Sequence, residues 1–478
     1  MRVRVLSRIT GQFLKVFSLV LTIPFILGFA FSDPLHVKIG FATASFTSLL
    51  MGGLLAYVGT SQDIELSEAM ASTVAGWVFA VLLGAIPLFD YMTPVSAVFE
   101  ATAGLTTTGI SMLSDPSKLP KSLLFWRALM QWVGGLGILT FFIAVIRESG
   151  GASRRLFSAE THKTDAGSIR PSLTKSIKSL WKVYGLVTLL IIVTYMILGM
   201  PVFEAFLHAF SGISTGGFSP YAQSMAVYGP AIQAVTVVFM FVGGVNFVLL
   251  HGLLHGRIRK MLHNSEFRLY SLFFLLLSAA MLTGFLPGQA LPQAVLNAFF
   301  QAAAILSSTG YSMSSMAAFS TLLQFIVVGG MFLGGSVGST AGGIKVFRVK
   351  ALIELLKTHL RGFRLPETAI NEVKIDGEIL ENSTLRTISV LFFTWVIAVF
   401  TGTLAILAFD RVSLIGALSG TVSAIGNMGP MFMQSEQMIN LSISSKTTWI
   451  ILMIAGRLEM LPLLALLNSK IFKDKLKA

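Results

Sequence analysis

LTTTGIS (105–111), ISTGGFS (213–219), LSSTGYS (306–312) and VSAIGNM (422–428) are four short clusters rich in glycine, serine and threonine, set into an otherwise apolar chain. Aligned on Gly109, Gly217, Gly310 and Gly426, they recur roughly every 100 residues, the mark of an internal repeat. Thirteen residues before the aligned glycines stand Ser96, Glu204, Asn297 and Ser413, and Pro94, Pro201 and Pro292 lie close to three of them. Serine and asparagine cap helix N-termini well, and an acid suits a first turn. The segment from each of these positions to its cluster therefore reads as a helix of about 10 residues, near 15 Å long and too short for the ~30 Å hydrocarbon core of a bilayer. Such a segment must be re-entrant. Some 25 to 30 residues beyond each cluster a glycine interrupts the next apolar stretch, at Gly135, Gly244, Gly335 and Gly456.

Composition places these repeats in a membrane. Of the 478 residues, 54% are hydrophobic and 12% charged, and several apolar stretches reach the ~20 residues that span a bilayer. With no cysteine, the chain forms no disulfide and no thiolate metal site. The formal charge of +13 would suggest nucleic acid in a soluble protein, but here the cations are segregated by position. Six groups hold 28 of the 35 Lys and Arg: Arg2 to Lys15, Arg147 to Lys182, Arg257 to Arg268, Lys345 to Arg364, Lys374 with Arg386, and Lys470 to Lys477. All face one side of the membrane when the spans are counted, and the positive-inside tendency makes that side cytoplasmic, with both termini. The basic segments suit an acidic partner surface or anionic lipid.

Two spans come first, near 11 to 32 and 37 to 58. The first lacks a signal-peptide cleavage site and reads as a retained helix. The expected fold is an all-α polytopic membrane protein with two N-terminal transmembrane helices (1–62) and four helix, pore-loop, helix repeats around one pore. The repeats occupy 63–150, 151–262 with a cytoplasmic linker at 148–178, 263–366, and 367–478. Long spans open them near residues 68, 180, 268 and 386, and a second long span closes each.

Irregular backbone at membrane depth is tolerated where it is buried in protein or lines an aqueous cavity, so four such loops imply one shared cavity. Rings of backbone carbonyls replace the hydration shell of a monovalent cation, and glycine permits the dihedrals this needs. The candidate filter residues are Thr107, Thr108, Gly109, Thr215, Gly216, Gly217, Ser308, Thr309, Gly310, Ile425, Gly426 and Asn427. Hydroxyls among them face the ion or brace the loop. Each short helix directs its partly negative carboxyl end at the cavity, which favours cations and repels anions. Glu100, His208, Gln301 and Ala417, nine residues before the aligned glycines, read as structural contacts to neighbouring loops or water, with direct ion ligation the alternative.

Two further stretches bear on mechanism. GGSVGSTAGGIK (334–345) carries Gly334, Gly335, Gly338, Gly342, Gly343 and Lys345 where a second span should be helical, and each interior glycine costs about 1 kcal/mol relative to alanine. The expectation is a mobile intramembrane loop below the filter. It is no nucleotide-binding loop, because no Gly-Lys-Ser/Thr ending is present. Arg457, in MIAGRLEMLPLL, sits near the middle of the last span, where a lone cation requires water or a partner. A neutral pair with Glu459 is the alternative, although residues two apart do not share a helix face. Arg457 reads as a fixed charge beside the pore, within reach of the 334–345 loop.

The four loops, GGSVGSTAGGIKVFR (334–348), GGVNF (243–247) and AGRLEMLPL (455–463) resemble the Trk/Ktr/HKT superfamily of potassium transporters over nearly the whole chain, and the two extra N-terminal spans are similar to those of the bacterial Trk subunits. The resemblance implies potassium uptake across the bacterial inner membrane, a homodimer with one pore per subunit, and gating by cytoplasmic nucleotide-binding RCK-type regulatory subunits. It implies that Gly109, Gly217, Gly310 and Gly426 are filter glycines, Gly334 to Gly343 a gating loop and Arg457 the pore arginine. Glycine in all four loops is the family pattern for potassium preference. AIGNM in the fourth departs from it and leaves fewer hydroxyls there. A sodium-permeable or sodium-coupled relative stays open, as does the choice between channel and symporter. An intramembrane enzyme does not fit: His251 and His255 lie beside Arg257 with no glutamate between them.

Overall fold

The computed structural model describes residues 2–60, 65–148, 173–314, 319–364, 371–429 and 432–460, with single positions at 316, 366, 462 and 463. Most of the linker expected at 148–178, and all of the Lys470 to Lys477 group, lie outside the described residues.

Helices α1 (Val3–Ala30) and α2 (Leu35–Val58) form the leading hairpin. Small residues bring their backbones nearly into contact: a Cβ added to Gly52 would stand 2.8 Å from the Gly11 carbonyl oxygen. Leu14, Phe17 and Leu21 of α1 and Phe41 of α2 join a buried cluster with Trp77 of α3 (Leu66–Ala85) and Trp126 of α5 (Lys121–Glu148). The hairpin is thereby fastened to the first repeat, which α4 (Pro94–Leu105) completes.

The second repeat comprises α6 (Leu173–Ile197), the short α7 (Val202–Ile213), and α8 (Pro230–Gly243) followed by α9 (Phe247–Leu254). After the short α10 (Ile258–His263), the third comprises α11 (Ser265–Phe285), α12 (Leu291–Leu306), α13 (Thr321–Leu333) and α14 (Val346–Gly362). The fourth comprises α15 (Asn382–Phe409), α16 (Leu414–Gly426), α17 (Ser435–Ile439) and α18 (Ile443–Arg457). A two-stranded antiparallel ribbon, β1 (Lys374–Ile375) with β2 (Glu378–Ile379), separates the third and fourth repeats. Among the described residues six helices are long and apolar enough to cross a membrane, and α8 with α9, bent by 110°, count as a seventh when taken together as one span. The fold is the all-α polytopic one expected.

The four short helices α4, α7, α12 and α16 have 12, 12, 16 and 13 residues, so none spans a bilayer. Three of them start earlier than the sequence suggested. Thr93, Pro201 and Ala290 occupy the N-cap positions expected for Ser96, Glu204 and Asn297, while Ser413 caps α16 and accepts from the Gly416 N–H at 3.1 Å. The nearby prolines explain the difference: Pro94 and Pro292 sit in the first turn, where a missing N–H has no helical partner, and Pro201, which cannot donate, stands at the N-cap itself.

Second spans are mostly broken. Only α5 runs on, whereas α8 bends into α9 just after Gly243, α13 stops at Leu333, and α18 stops at Arg457. Close packing against the short helices accompanies this. A Cβ on Gly134 would collide with the Leu105 carbonyl, and one on Gly456 with the Ile425 carbonyl; one on Gly243 would lie 3.0 Å from Thr215 Cγ2. The segments QWVGG (131–135), MFVGG (240–244), MFLGG (331–335) and MIAGR (453–457) are thus counterparts. Gly456 matches Gly134, and Arg457 takes the place of Gly135.

Candidate functional site: a ring of four loops

The loop after each short helix repeats one backbone shape. Gly109, Gly217, Gly310 and Gly429 have φ of +77°, +78°, +77° and +92°, and two residues earlier Thr107, Thr215, Ser308 and Asn427 have φ between +50° and +56°. These four N–H groups donate back to Gly104, Gly212, Ile305 and Ala424 at 3.0 to 3.3 Å. The fourth loop therefore aligns three residues later than in the sequence comparison. Gly426 is the last residue of α16, Ile425 takes the place of Leu105, and of the trio Ile425, Gly426 and Asn427 only Asn427 lies in the loop. Met428 and Gly429 complete it. The N-caps agree: Thr93, Pro201 and Ser413 each precede their loop glycine by sixteen residues.

The loops close on one another in chain order. A Cβ on Gly109 would collide with the Gly216 carbonyl oxygen, one on Gly217 with that of Thr309, and one on Gly310 with that of Met428. One on Gly429 would lie 3.0 Å from the Thr108 carbonyl oxygen, which completes the circuit. Left-handed backbone and absent side chains are both required here, so glycine is the one residue that fits. Thr107, Thr108, Thr215, Ser308, Thr309 and Asn427 are all at most 2% exposed. Asn427 donates its amide to Thr108 Oγ1 and to the Met453 carbonyl, both at 2.9 Å, sealing the fourth loop to the first. The carboxyl ends of α4, α7, α12 and α16 all arrive at this ring, bringing four partly negative helix ends together.

Polar residues on the short helices brace the chain beyond the ring. Glu100 accepts from the Met112 N–H at 2.7 Å and from Ser111 at 3.0 Å, His208 meets Ser219 Oγ at 3.3 Å, and Gln301 donates to the Ser314 carbonyl at 3.2 Å. In the fourth repeat the brace is Ser419, accepting from the Phe432 N–H at 2.9 Å, and not Ala417. Glu204 accepts from Tyr221 and Tyr228 at 2.7 and 2.6 Å. That bond and burial push the Tyr221 phenol up to about 12, so it remains a donor at neutral pH.

Two residues of α5 escaped the sequence reading. Arg127 pairs with Glu100 at 2.8 Å, donates to Ser111 Oγ and the Ser219 carbonyl at 3.1 and 3.2 Å, and stacks 4.1 Å over Phe218. Gln131 donates to the Gly216 carbonyl at 2.7 Å and accepts from the Phe218 N–H at 3.1 Å. Both Arg127 and Glu100 are at most 2% exposed. Removing one partner strands the other charge, so Glu100→Ala is expected to cost about 3–5 kcal/mol. A fall in the thermal midpoint of the detergent-solubilised protein, mostly restored in Glu100→Met/Arg127→Met, is the expected reading. Equal midpoints for Glu100→Ala and wild type would show that the pair is not structural.

Residues 334–345 fill the space at the carboxyl ends of the short helices. Gly334, Gly338, Gly343 and Lys345 have φ between +66° and +75°, which explains why this stretch leaves the helical path. Hydrogen bonds hold the stretch along its length. Thr340 donates to the Ile213 carbonyl at 2.8 Å, Gly342 N–H to Ser308 Oγ at 2.6 Å, and Gly343 N–H to the Gly426 carbonyl at 2.9 Å. Ser336 N–H reaches the Gly244 carbonyl at 2.8 Å, Phe247 N–H reaches that of Gly338 at 3.1 Å, and Val346 N–H closes onto that of Gly335 at 3.0 Å. Glu266, at the start of α11, accepts from the Val337 N–H at 2.7 Å, and Lys345 donates to the Ala341 carbonyl.

Arg457 locks this arrangement. Its guanidinium donates to the Thr340 carbonyl at 3.1 Å and to those of Gly134 and Gly135, the latter at 2.8 Å, while Nε has no partner among the described residues. The side chain is buried and joins α18, α5 and the 334–345 loop. Glu459 pairs with Arg348 of α14 instead.

A family model described as TrkH, cation transport protein, matches residues 38–477. The Trk system potassium uptake protein TrkH of Salmonella typhimurium is 28% identical, with 99% of this chain and 100% of that protein covered. The potassium uptake protein TrkG of Escherichia coli is 26% identical, with 98% of each chain covered. A cation transporter of Methanocaldococcus jannaschii is 27% identical over 97% of this chain and 95% of its own. The crystal structure of the potassium transporter TrkH from Vibrio parahaemolyticus superposes with a TM-score of 0.87 at 25% identity, covering 99% of this chain and 100% of that one. With the repeats, the ring and these likenesses in agreement, the chain belongs to the TrkH family of cation transport proteins.

Proposed function

We propose that this protein carries potassium into the cell through the ring of four loops, whose carbonyls act as the selectivity filter. The closure of the ring carries this reading: four glycine loops from one chain meet in order, leaving a single axis at which four negative helix ends point. Carbonyl oxygens and helix ends suit a dehydrated monovalent cation and repel anions. The filter residues are Thr107, Thr108, Gly109, Thr215, Gly216, Gly217, Ser308, Thr309 and Gly310, with Asn427, Met428 and Gly429 in the fourth quarter. The 334–345 loop and Arg457 act as the gate, for they lie where the helix ends converge and a cation leaving the ring meets them.

In this reading the basic groups and both termini are cytoplasmic, following the positive-inside tendency in the inner membrane. The chain works as a homodimer under RCK-type nucleotide-binding subunits, as the family resemblance implies. Exposed Arg257, Arg259, Lys260, Lys357 and Arg361 offer a basic surface for an acidic partner face.

Rubidium uptake into potassium-loaded liposomes tests the reading. Potassium is expected to compete with rubidium far better than sodium does. Equal competition would favour a sodium-permeable transporter, consistent with the lack of hydroxyls at Gly216, Asn427 and Met428; no monovalent flux under any gradient, with or without regulatory subunits, would overturn the pore.

A further inference from the structure

The four quarters of the ring are not supported alike. At the position of Gln131 in QWVGG the other three repeats carry methionine, Met240, Met331 and Met453, each fully buried like Gln131. At the position of Gly216 the other three loops carry a side chain, Thr108, Thr309 and Met428. The two exceptions meet each other. A Cβ on Gly216 would fall 2.7 Å from both amide heteroatoms of Gln131, so the amide occupies the space that a loop side chain would fill. It uses that place to grip backbone, donating to the Gly216 carbonyl at 2.7 Å and accepting from the Phe218 N–H at 3.1 Å. The gripped residues flank Gly217, and the gripped carbonyl is the one against which Gly109 packs.

We infer that Gln131 is a specificity-determining positioning residue: its amide clamps Gly216 and Phe218 from behind and thereby fixes where the second loop stands against the first. The inference rests on the filter reading above. A carboxamide suits the task because it presents one donor and one acceptor in a plane, matching a carbonyl and an N–H two residues apart. Methionine has similar volume and neither group, so Gln131→Met removes the clamp without opening a cavity.

The test compares wild type, Gln131→Met, Gln131→Glu and Gln131→Met/Gly216→Thr in the liposome rubidium assay, scoring potassium against sodium competition together with the thermal midpoint. Gln131→Met is expected to lower the potassium-over-sodium ratio about five-fold, the effect of one ordinary hydrogen bond on carbonyl placement. Gln131→Glu, which keeps the acceptor but turns a second oxygen toward the Gly216 carbonyl, is expected to lower it further. The double variant recreates the Met and Thr combination found at two of the other three quarters and is expected to regain part of the ratio. A purely structural role would lower the midpoint and total flux of Gln131→Met with the ratio kept, which would overturn the inference while leaving the filter intact. A wild type without potassium preference would overturn both.

Discussion

Arg457→Ala is expected to raise rubidium flux through the reconstituted protein about ten- to hundred-fold. The guanidinium is buried where the 334–345 loop meets α5, and it donates to carbonyls on both. A unit charge about 5 Å from a passing cation opposes it by about 3 kcal/mol at an effective dielectric constant of about 20, or about two decades in rate. Removing the side chain also frees Thr340 from Gly134 and Gly135, loosening the loop beneath the ring. Stability should fall at the same time, since three carbonyls lose a charged donor in a buried site. Arg457→Lys separates the two effects. The charge remains but the planar fork does not, so flux should stay low while the thermal midpoint drops. Flux in Arg457→Ala at or below the wild-type level, in protein that remains folded, would remove the arginine from the gate.

The second large effect distinguishes two glycines three residues apart. Gly429→Ala is expected to abolish potassium preference, whereas Gly426→Ala should retain it. Gly429 has φ +92° and faces the Thr108 carbonyl; a left-handed conformation costs an ordinary residue roughly 1–2 kcal/mol, and the Cβ would press on backbone that cannot yield. Gly426 is helical, and the nearest atoms to its added Cβ would be those of the flexible Met428 side chain, at 3.3 Å. Gly310→Ser sets the upper limit of the effect, because its Cβ would collide with the Met428 carbonyl. Potassium and sodium competition against rubidium is the readout. Full preference in Gly429→Ala together with loss in Gly426→Ala would restore the earlier alignment and refute the geometric one.

That three-residue shift marks where the sequence stops being legible. Period, apolar length and the Gly/Ser/Thr clusters sufficed to find the four short helices and the left-handed glycine of three of the four loops, because glycine at a left-handed position has no substitute. In the fourth repeat Gly426 and Gly429 compete as the aligned residue. The folded geometry decides between them, through the backbone angles, the N-cap spacing and the approach of Gly429 to the Thr108 carbonyl, although matching MIAGR to QWVGG would have hinted that the register drifts. Arg457 stood out as a lone cation in an apolar span. Its partners did not, for they are carbonyls of Gly134, Gly135 and Thr340, which no side-chain pattern announces. Gln131 and Arg127 were hidden for a different reason: a glutamine and an arginine in a long helix look ordinary until the loop of the next repeat is seen to rest on them.

The ring of four loops is written into a single polypeptide, and this changes what dilution and mutation do to it. Four separate chains would have to find one another, and their ring would come apart at low concentration; here the quarters are tethered, so each stays at high local concentration whatever the amount of protein in the membrane. Equally, one codon alters one quarter. A channel of four identical chains takes every substitution in quadruplicate, while this chain takes it as a single dose, so the quarters are free to diverge one at a time, as the amide behind the second and the asparagine within the fourth have done.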